Sequence, residues 1–373
     1  MKKIFSQWFC MLPFSISWHQ YQINALHDFL QGVLISKTLV PATAGRKSVS
    51  GTVKPRNGAK RAFRLYNNKR ITQENMAAVA IGRFLRYAGK VKKIKIIIDW
   101  TTLYETFMLC SVSMVTGKRR SIPIFYDGYE QGKLCIGRGQ NTIEENLLNV
   151  LFSVIQDRKR ITVIADRGFD RPDFFEFLKS SKVKFVIRLS EGTKAFDCNK
   201  IEYTIGATMA VKGGAHDFGI MSYSKKNPVD VRIVSVWDNQ MKEPWLIATN
   251  IENVAISTTI WIYSLRWEIE CMFKSKKNVQ SGMNWKQARL HTIERWLRLA
   301  FFATLLFQFL GEIGILCDSD RSIIKRYSLC GNAKRRVFSI YSLALNVLDD
   351  VGRIYEMLFD GDDILVRPMQ GVE

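Results

Sequence analysis

Asp99 ends the apolar run KIKIIID and is followed by Trp100-Thr101-Thr102, and Asp166 ends ITVIAD and opens the run ADRGFD. A carboxylate at the end of a buried strand is costly unless a cation meets it, and a divalent metal is the economical partner. Alone, either reads equally well as a turn or cap aspartate. Two of them in one α/β sheet, 67 residues apart, shift the balance toward a shared site. A third acid lies in YSLRWEIECMFKSKK, where Tyr263, Arg266, Glu270 and Lys277 are spaced by three, four and seven. At 100° per residue these four fall in one stripe about 60° wide, with Lys274 near it. One helix face would present a phenol, a guanidinium, a carboxylate and an ammonium. The competing reading is an ordinary salt-bridged surface helix, because Arg266 and Glu270 form an i, i+4 pair. Asp170 and Asp173 read as caps of a helix start, Asp127 as a turn residue, and Glu268 as pointing to another side of its helix.

The elements that must carry these residues follow from hydrophobic period. Strands are expected at 93–99, 106–115 and 119–129, with Thr116-Gly117-Lys118 as a hairpin turn. A helix at Thr142–Asp157, a strand at 161–166, a helix from Arg171 to Ser181 opened by Pro172 and a strand at 184–190 come next. The first three strands should form an antiparallel meander and the later ones parallel crossovers. This is the element order of a ribonuclease-H-like mixed α/β sheet. Residues 191–255 break the alternation and read as inserted β hairpins. Ile256–Lys277 and Thr292–Leu310 read as helices. The strongly apolar part of the second, Leu299–Leu310, is too short to span a bilayer and reads as a buried core helix, and a further amphipathic helix is expected near Leu343–Leu358.

The 373 residues allow two or three domains, with hydrophobic residues at 47% and charged residues at 24% arguing against global disorder. The net charge of +21 points to a polyanionic partner, nucleic acid before an anionic membrane. Residues 1–90 hold 15 Lys/Arg against 2 Asp/Glu, so +13 of that charge lies there. Between Ala44 and Ile71 stand Arg46, Lys47, Lys54, Arg56, Lys60, Arg61, Arg64, Lys69 and Arg70 with no acid. Interleaved Gly, Ser, Pro and Asn make this stretch read as a flexible basic arm or loops. A helical period over Trp18–Ser36 and an N-cap at Thr72 flank it, giving a small basic helical domain. The other reading is a solvated basic face without a partner. The seven cysteines, Cys10, Cys110, Cys135, Cys198, Cys271, Cys317 and Cys330, form no Cys-x-x-Cys pair and fit reduced thiols in a cytoplasm. The first 17 residues superficially resemble a signal peptide but lack a small-x-small cleavage site. No phosphate loop is present, and Gly137-Arg138-Gly139 lacks the rest of a dinucleotide fingerprint.

Together, IIIDWT, ADRGFD and the Tyr-x2-Arg-x3-Glu-x6-Lys run resemble insertion-sequence DDE transposases of the IS-four-type bacterial group that carries this signature. The resemblance covers roughly 90–310. It implies a catalytic domain over 91–310, with the β insertion at about 191–255, after a DNA-binding domain at 1–90. Residues 311–373 would form a C-terminal helical region that is a candidate for dimerisation. It further implies that Asp99, Asp166 and Glu270 hold two Mg2+ or Mn2+ ions for cleavage and strand transfer. Tyr263, Arg266 and Lys277 would grip phosphates, helped by Lys274 and Lys276, while the cations from Arg46 to Arg64 would read the terminal inverted repeats. A Trp of the insertion would stack on a flipped base, Trp245 fitting best and Trp237 next; a Trp that merely packs a hairpin is the alternative. The implied partners are transposon-end and target DNA and, in the synaptic complex, a second copy of the chain. The implied place is the bacterial cytoplasm near the nucleoid, with no membrane. Two other readings stay open: an inactive transposase-derived DNA-binding protein, and another ribonuclease-H-like nuclease.

Overall fold

A computed structural model describes residues 1–48, 54–89, 91–104, 106–118, 120–133, 139–277, 283–327 and 339–350. Cys135, Cys330, Gly137, Arg138 and the expected helical stretch 351–358 lie outside them. The apolar runs form the expected meander of β1 (Ile94–Leu103), β2 (Phe107–Met114) and β3 (Ile122–Glu130), with Gly117 at φ 70° in the β2–β3 turn. β4 (Ile161–Ala165) lies parallel to β1, and β5 (Lys184–Arg188) parallel to β4. Continuous Ile/Val runs suit strands covered on both faces, and Ile94–Ile98 and all of β4 are buried. The inserted hairpins supply β6 (Lys194–Phe196), β7 (Glu202–Thr204), β8 (Gly214–Tyr223), β9 (Val229–Trp237) and β10 (Trp245–Thr249). They extend the same sheet, because β10 pairs antiparallel with β5. The ten strands run in the order β3-β2-β1-β4-β5-β10-β9-β8-β6-β7. Asp127 stands within β3 opposite Cys110, not in the expected turn.

Helices cover this sheet. Five precede it: α1 (Lys2–Cys10), α2 (Gln20–Ser36), α3 (Pro41–Lys47), α4 (Pro55–Tyr66) and α5 (Gln73–Ala88). Within or after it come α6 (Gln140–Val154), α7 (Pro172–Ser180), α8 (Ile256–Ser264), α9 (Trp267–Lys277), α10 (Ile293–Asp318), α11 (Arg321–Tyr327) and α12 (Ile340–Asp349). Helix α10 runs eight residues past the expected end at Leu310 and, by length and composition, could cross a membrane; 89% of its most apolar window is instead buried inside the protein. Phe5 and Trp8 of α1 pack on its Phe309 at 5.2 and 5.4 Å.

The polar residues of α10 are attachment points. Arg298 donates to the carbonyls of Tyr66 and Ile71, and Gln308 to those of Ala80 and Pro123. Glu312 accepts from Arg83 Nε at 2.9 Å, from Arg83 Nη2 at 2.5 Å and from Trp8 Nε1 at 2.8 Å. Each bond satisfies a buried group that would otherwise carry the full cost of desolvation. Gly314 lets α12 approach, since a Cβ there would stand 2.2 Å from the Ile340 carbonyl oxygen.

The stretch expected to be a basic arm is largely helical. Pro41 and Pro55 sit in the first turns of α3 and α4, where their fixed φ favours a helix start. The small residues that suggested flexibility pack the two helices together. A Cβ at Gly45 would lie 2.7 Å from the Gly58 carbonyl oxygen and 2.8 Å from the Ala62 Cβ. Gly58, Ala59, Ala62, Leu65 and Tyr66 face inward, which leaves Arg56, Lys60, Arg61 and Arg64 on the exposed face of α4. Lys54 caps its start, and Arg46 and Lys47 end α3, all exposed.

Replacing Arg83 with Met should strand Glu312 as an uncompensated buried charge and cost about 3–5 kcal/mol. The double replacement Arg83→Met with Glu312→Leu should recover most of that loss. Denaturant unfolding of both variants checks it.

Candidate active site

Parallel pairing of Ile96 with Val163 and Ile97 with Ile164 fixes the register of β1 and β4. Two residues beyond the Ile97–Ile164 pair come Asp99 and Asp166. Asp99 lies inside β1, opposite Ser111 of β2, and does not close the strand as expected, because β1 runs on in its pairing with β2. Asp166 directly follows β4, so two carboxylates come from neighbouring strands. Each is steadied by a local backbone donor. Asp99 Oδ1 accepts the Trp100 N–H at 2.8 Å, and Asp166 Oδ1 accepts the Gly168 N–H at 2.8 Å. The Asp99 side chain is only 13% exposed. Burial first, and the Asp166 charge second, push its pKa up to about 7, while Arg266 works against them.

Glu270 comes from the first turn of α9, where a helix N-terminus favours a carboxylate. Arg266 joins it to the strand site: one Nη lies 2.5 Å from Glu270 Oε1 and the other 3.8 Å from Asp99 Oδ2. Burial opposes the Arg266 charge, but Tyr263, Glu270 and Asp99 together raise its pKa. The four signature residues do not share one straight helix. The chain tightens at Leu265 and Arg266, whose N–H groups bond to the carbonyls of Ile262 and Tyr263 three residues back. Tyr263 therefore belongs to α8, Arg266 to the break, and Glu270 and Lys277 to α9.

Tyr263 is buried, which raises its phenol pKa against the pull of Arg266 and Arg188. Trp245 meets it edge-on, with ring centres 4.9 Å apart, so this Trp borders the carboxylate site. Trp237 instead donates to the Met241 carbonyl within its own hairpin. Lys277 reaches back to β1, donating to Thr101 Oγ1 at 2.5 Å. Lys274 is exposed over the Trp267 ring at 4.6 Å. Lys276 corrects the expectation that it grips a phosphate. It is fully buried, donates to Tyr126 Oη and is boxed by Tyr126, Trp285 and Phe307. Burial holds its pKa well below the usual lysine value.

Asp170 is not a cap of α7. It accepts the Ser190 N–H at 2.6 Å and the Tyr223 hydroxyl at 2.7 Å, tying the turn after β4 to β5 and the insertion. Glu268 accepts from the Thr116 N–H at 2.9 Å and is structural, as its helix side suggested. Sequence reasoning passed over Glu144 and Arg171, which pair beside Trp100. The available signal was a carboxylate on the apolar stripe of α6, beside Ile143 and Leu147.

The donors at the site are hard oxygens and suit Mg2+ or Mn2+. Asp99 is buried beside the Asp166 charge, a place where a cation would offset both the burial and the repulsion that raise its pKa. Asp99 and Asp166 fit one such ion. Glu270 stands one guanidinium away, and among the described residues no three acids or histidines already form a metal cluster. Because the folded state holds Asp99 protonated to higher pH, its burial destabilises the ion-free protein increasingly from about pH 4 and fully above about pH 7. Asp99→Asn should thus stabilise by about 1–3 kcal/mol at pH 8 in EDTA and do little at pH 4, by thermal unfolding.

No curated protein matches the chain. A family model described as a transposase DDE domain matches residues 138–306. That span holds Asp166, Trp245, Tyr263, Arg266, Glu270 and Lys277, while Asp99 and helices α1–α5 precede it. The match supports a DDE transposase, and with it DNA as the partner and the divalent metals that such enzymes generally use.

Proposed function

We propose that the chain is an insertion-sequence transposase of the Tyr-Arg-Glu-Lys group, which binds terminal inverted repeats and catalyses metal-dependent cleavage and strand transfer. The observation that carries this reading is the side-by-side placement of Asp99, within β1, and Asp166, directly after β4, with Arg266 linking Asp99 to Glu270. Two Mg2+ or Mn2+ ions on Asp99, Asp166 and Glu270 would supply activation of the attacking oxygen and stabilisation of the leaving one. The residues around them do the positioning. Arg266 is planar, charged and already aimed at the acids, so it can fork onto a phosphate oxygen pair. Tyr263 is held by burial and by the Trp245 ring, and offers its hydroxyl beside Arg266. Trp245 is half-buried, which leaves part of its face for an unstacked base. Lys277 brings an ammonium to the Thr101 end of β1.

The outer face of α4 would supply end binding. Arg56, Lys60, Arg61 and Arg64 are exposed there, and none has an ion-pair partner among the described residues. Joining two transposon ends calls for a second copy of the chain in the DNA complex.

Asp99→Asn, Asp166→Asn and Glu270→Gln should each abolish Mn2+-dependent cleavage of end DNA by at least about a thousandfold while sparing binding. Cleavage retained in any one removes that residue from the site, and a wild type that binds ends without cutting them removes the catalytic reading. Lys60→Ala with Arg64→Ala should lower the slope of log affinity against log salt by about 2, at about 0.9 for each phosphate left unneutralised. Fluorescence anisotropy over a salt series reads it.

A further inference from the structure

The apolar stripe of α6, with Ile143, Leu147, Leu148, Leu151 and Phe152 buried, also carries Glu144, whose side chain is wholly buried. A carboxylate in such a place is tolerated only if its oxygens are bonded and its charge is met. Both conditions hold. Oε1 accepts the Trp100 indole N–H at 2.6 Å and the Gln140 amide at 3.3 Å, and Oε2 accepts from Arg171 Nη2.

These partners lead in two directions. Trp100 follows Asp99, and its backbone N–H donates to Asp99 Oδ1 at 2.8 Å. Arg171 donates through Nη1 to the Gly168 carbonyl at 2.9 Å, and the Gly168 N–H donates to Asp166 Oδ1 at 2.8 Å. The Arg171 guanidinium also lies over the Phe174 ring at 5.3 Å, so it is held from a second side. One buried carboxylate thus ends two short chains of bonds, and each chain reaches one of the paired aspartates.

We propose that Glu144 is a positioning residue that fixes the separation and orientation of Asp99 and Asp166, and through them the affinity of the site for a divalent cation. The inference rests on the proposed role of these two aspartates as metal ligands. Burial raises the Glu144 pKa, and the Arg171 charge and the Trp100 hydrogen bond work against that rise. Groups that orient metal ligands from behind commonly set affinity by about ten- to a hundredfold. A carboxylate that served only to clamp α6 to the turn before α7 would affect folding but leave cation affinity alone.

The test uses the full chain and Mn2+ itself, with free Mn2+ followed by electron paramagnetic resonance and unfolding followed in EDTA. Glu144→Gln should raise the Mn2+ dissociation constant about tenfold or more, and Trp100→Phe, which keeps a ring but loses the indole donor, by a smaller factor. The double variant should be no weaker than Glu144→Gln alone, because both act on one chain of bonds. Should Glu144→Gln fail to fold, Trp100→Phe still decides. Wild-type Mn2+ binding with either folded variant within twofold of it overturns the positioning role and leaves the transposase reading intact. A wild type that binds no Mn2+ overturns the metal reading and the positioning role with it.

Discussion

Placing Asp99 and Asp166 side by side is unfavourable, and much of the surrounding structure is arranged to bear it. The parallel register of β1 against β4 brings the two residues to the same level of the sheet. Burial and mutual repulsion then raise the Asp99 pKa to about 7, and Arg266 is the nearby charge that lowers it. Arg266 can sit there because the chain tightens between α8 and α9, which turns its guanidinium toward β1 while keeping Glu270 within 2.5 Å. The break in the helix is part of the site's construction.

Such an arrangement needs a rigid frame, and α10 provides it. It packs on β3, α5 and α12, and its few polar groups tie down Tyr66, Ile71, Ala80, Arg83 and Trp8. The basic helices at the start of the chain are therefore attached to the sheet through one apolar core and a small set of buried hydrogen bonds.

What the sequence disclosed, and what it did not, follows from the range of the forces involved. Strands β1, β4 and β5 and the two aspartates were legible because a buried parallel strand needs a continuous apolar run, and each acid marks the end of one. The helices α3 and α4 were hidden because they pack through Gly45, Gly58, Ala59 and Ala62. The glycines read as flexible along the chain and as close packing only when the opposite helix is known. The break at Leu265–Arg266 contains no Gly or Pro, so no residue type along the chain marks it. Glu144 was visible as a charge on an apolar stripe, yet Arg171, 27 residues away, only becomes its partner once α6 and the turn before α7 are packed.

The cations fall into two kinds, and the difference bears on the order in which a polyanion would be engaged. Those on α4 are exposed and without ion-pair partners among the described residues, so a phosphate would displace only counterions there. Those around the carboxylates are already committed: Arg266 to Glu270 and Asp99, Arg171 to Glu144, and Arg188 to Glu243 at 2.8 Å. An exposed pair is worth about 1 kcal/mol or less and exchanges readily, whereas a half-buried charge-assisted pair resists. A strand held loosely by α4 would thus gain little at the site until its phosphates were placed well enough to replace the Glu270 oxygen on Arg266. On the proposed reading, the ion pair that joins Arg266 to Glu270 beside Asp99 is the one a correctly seated phosphate has to break.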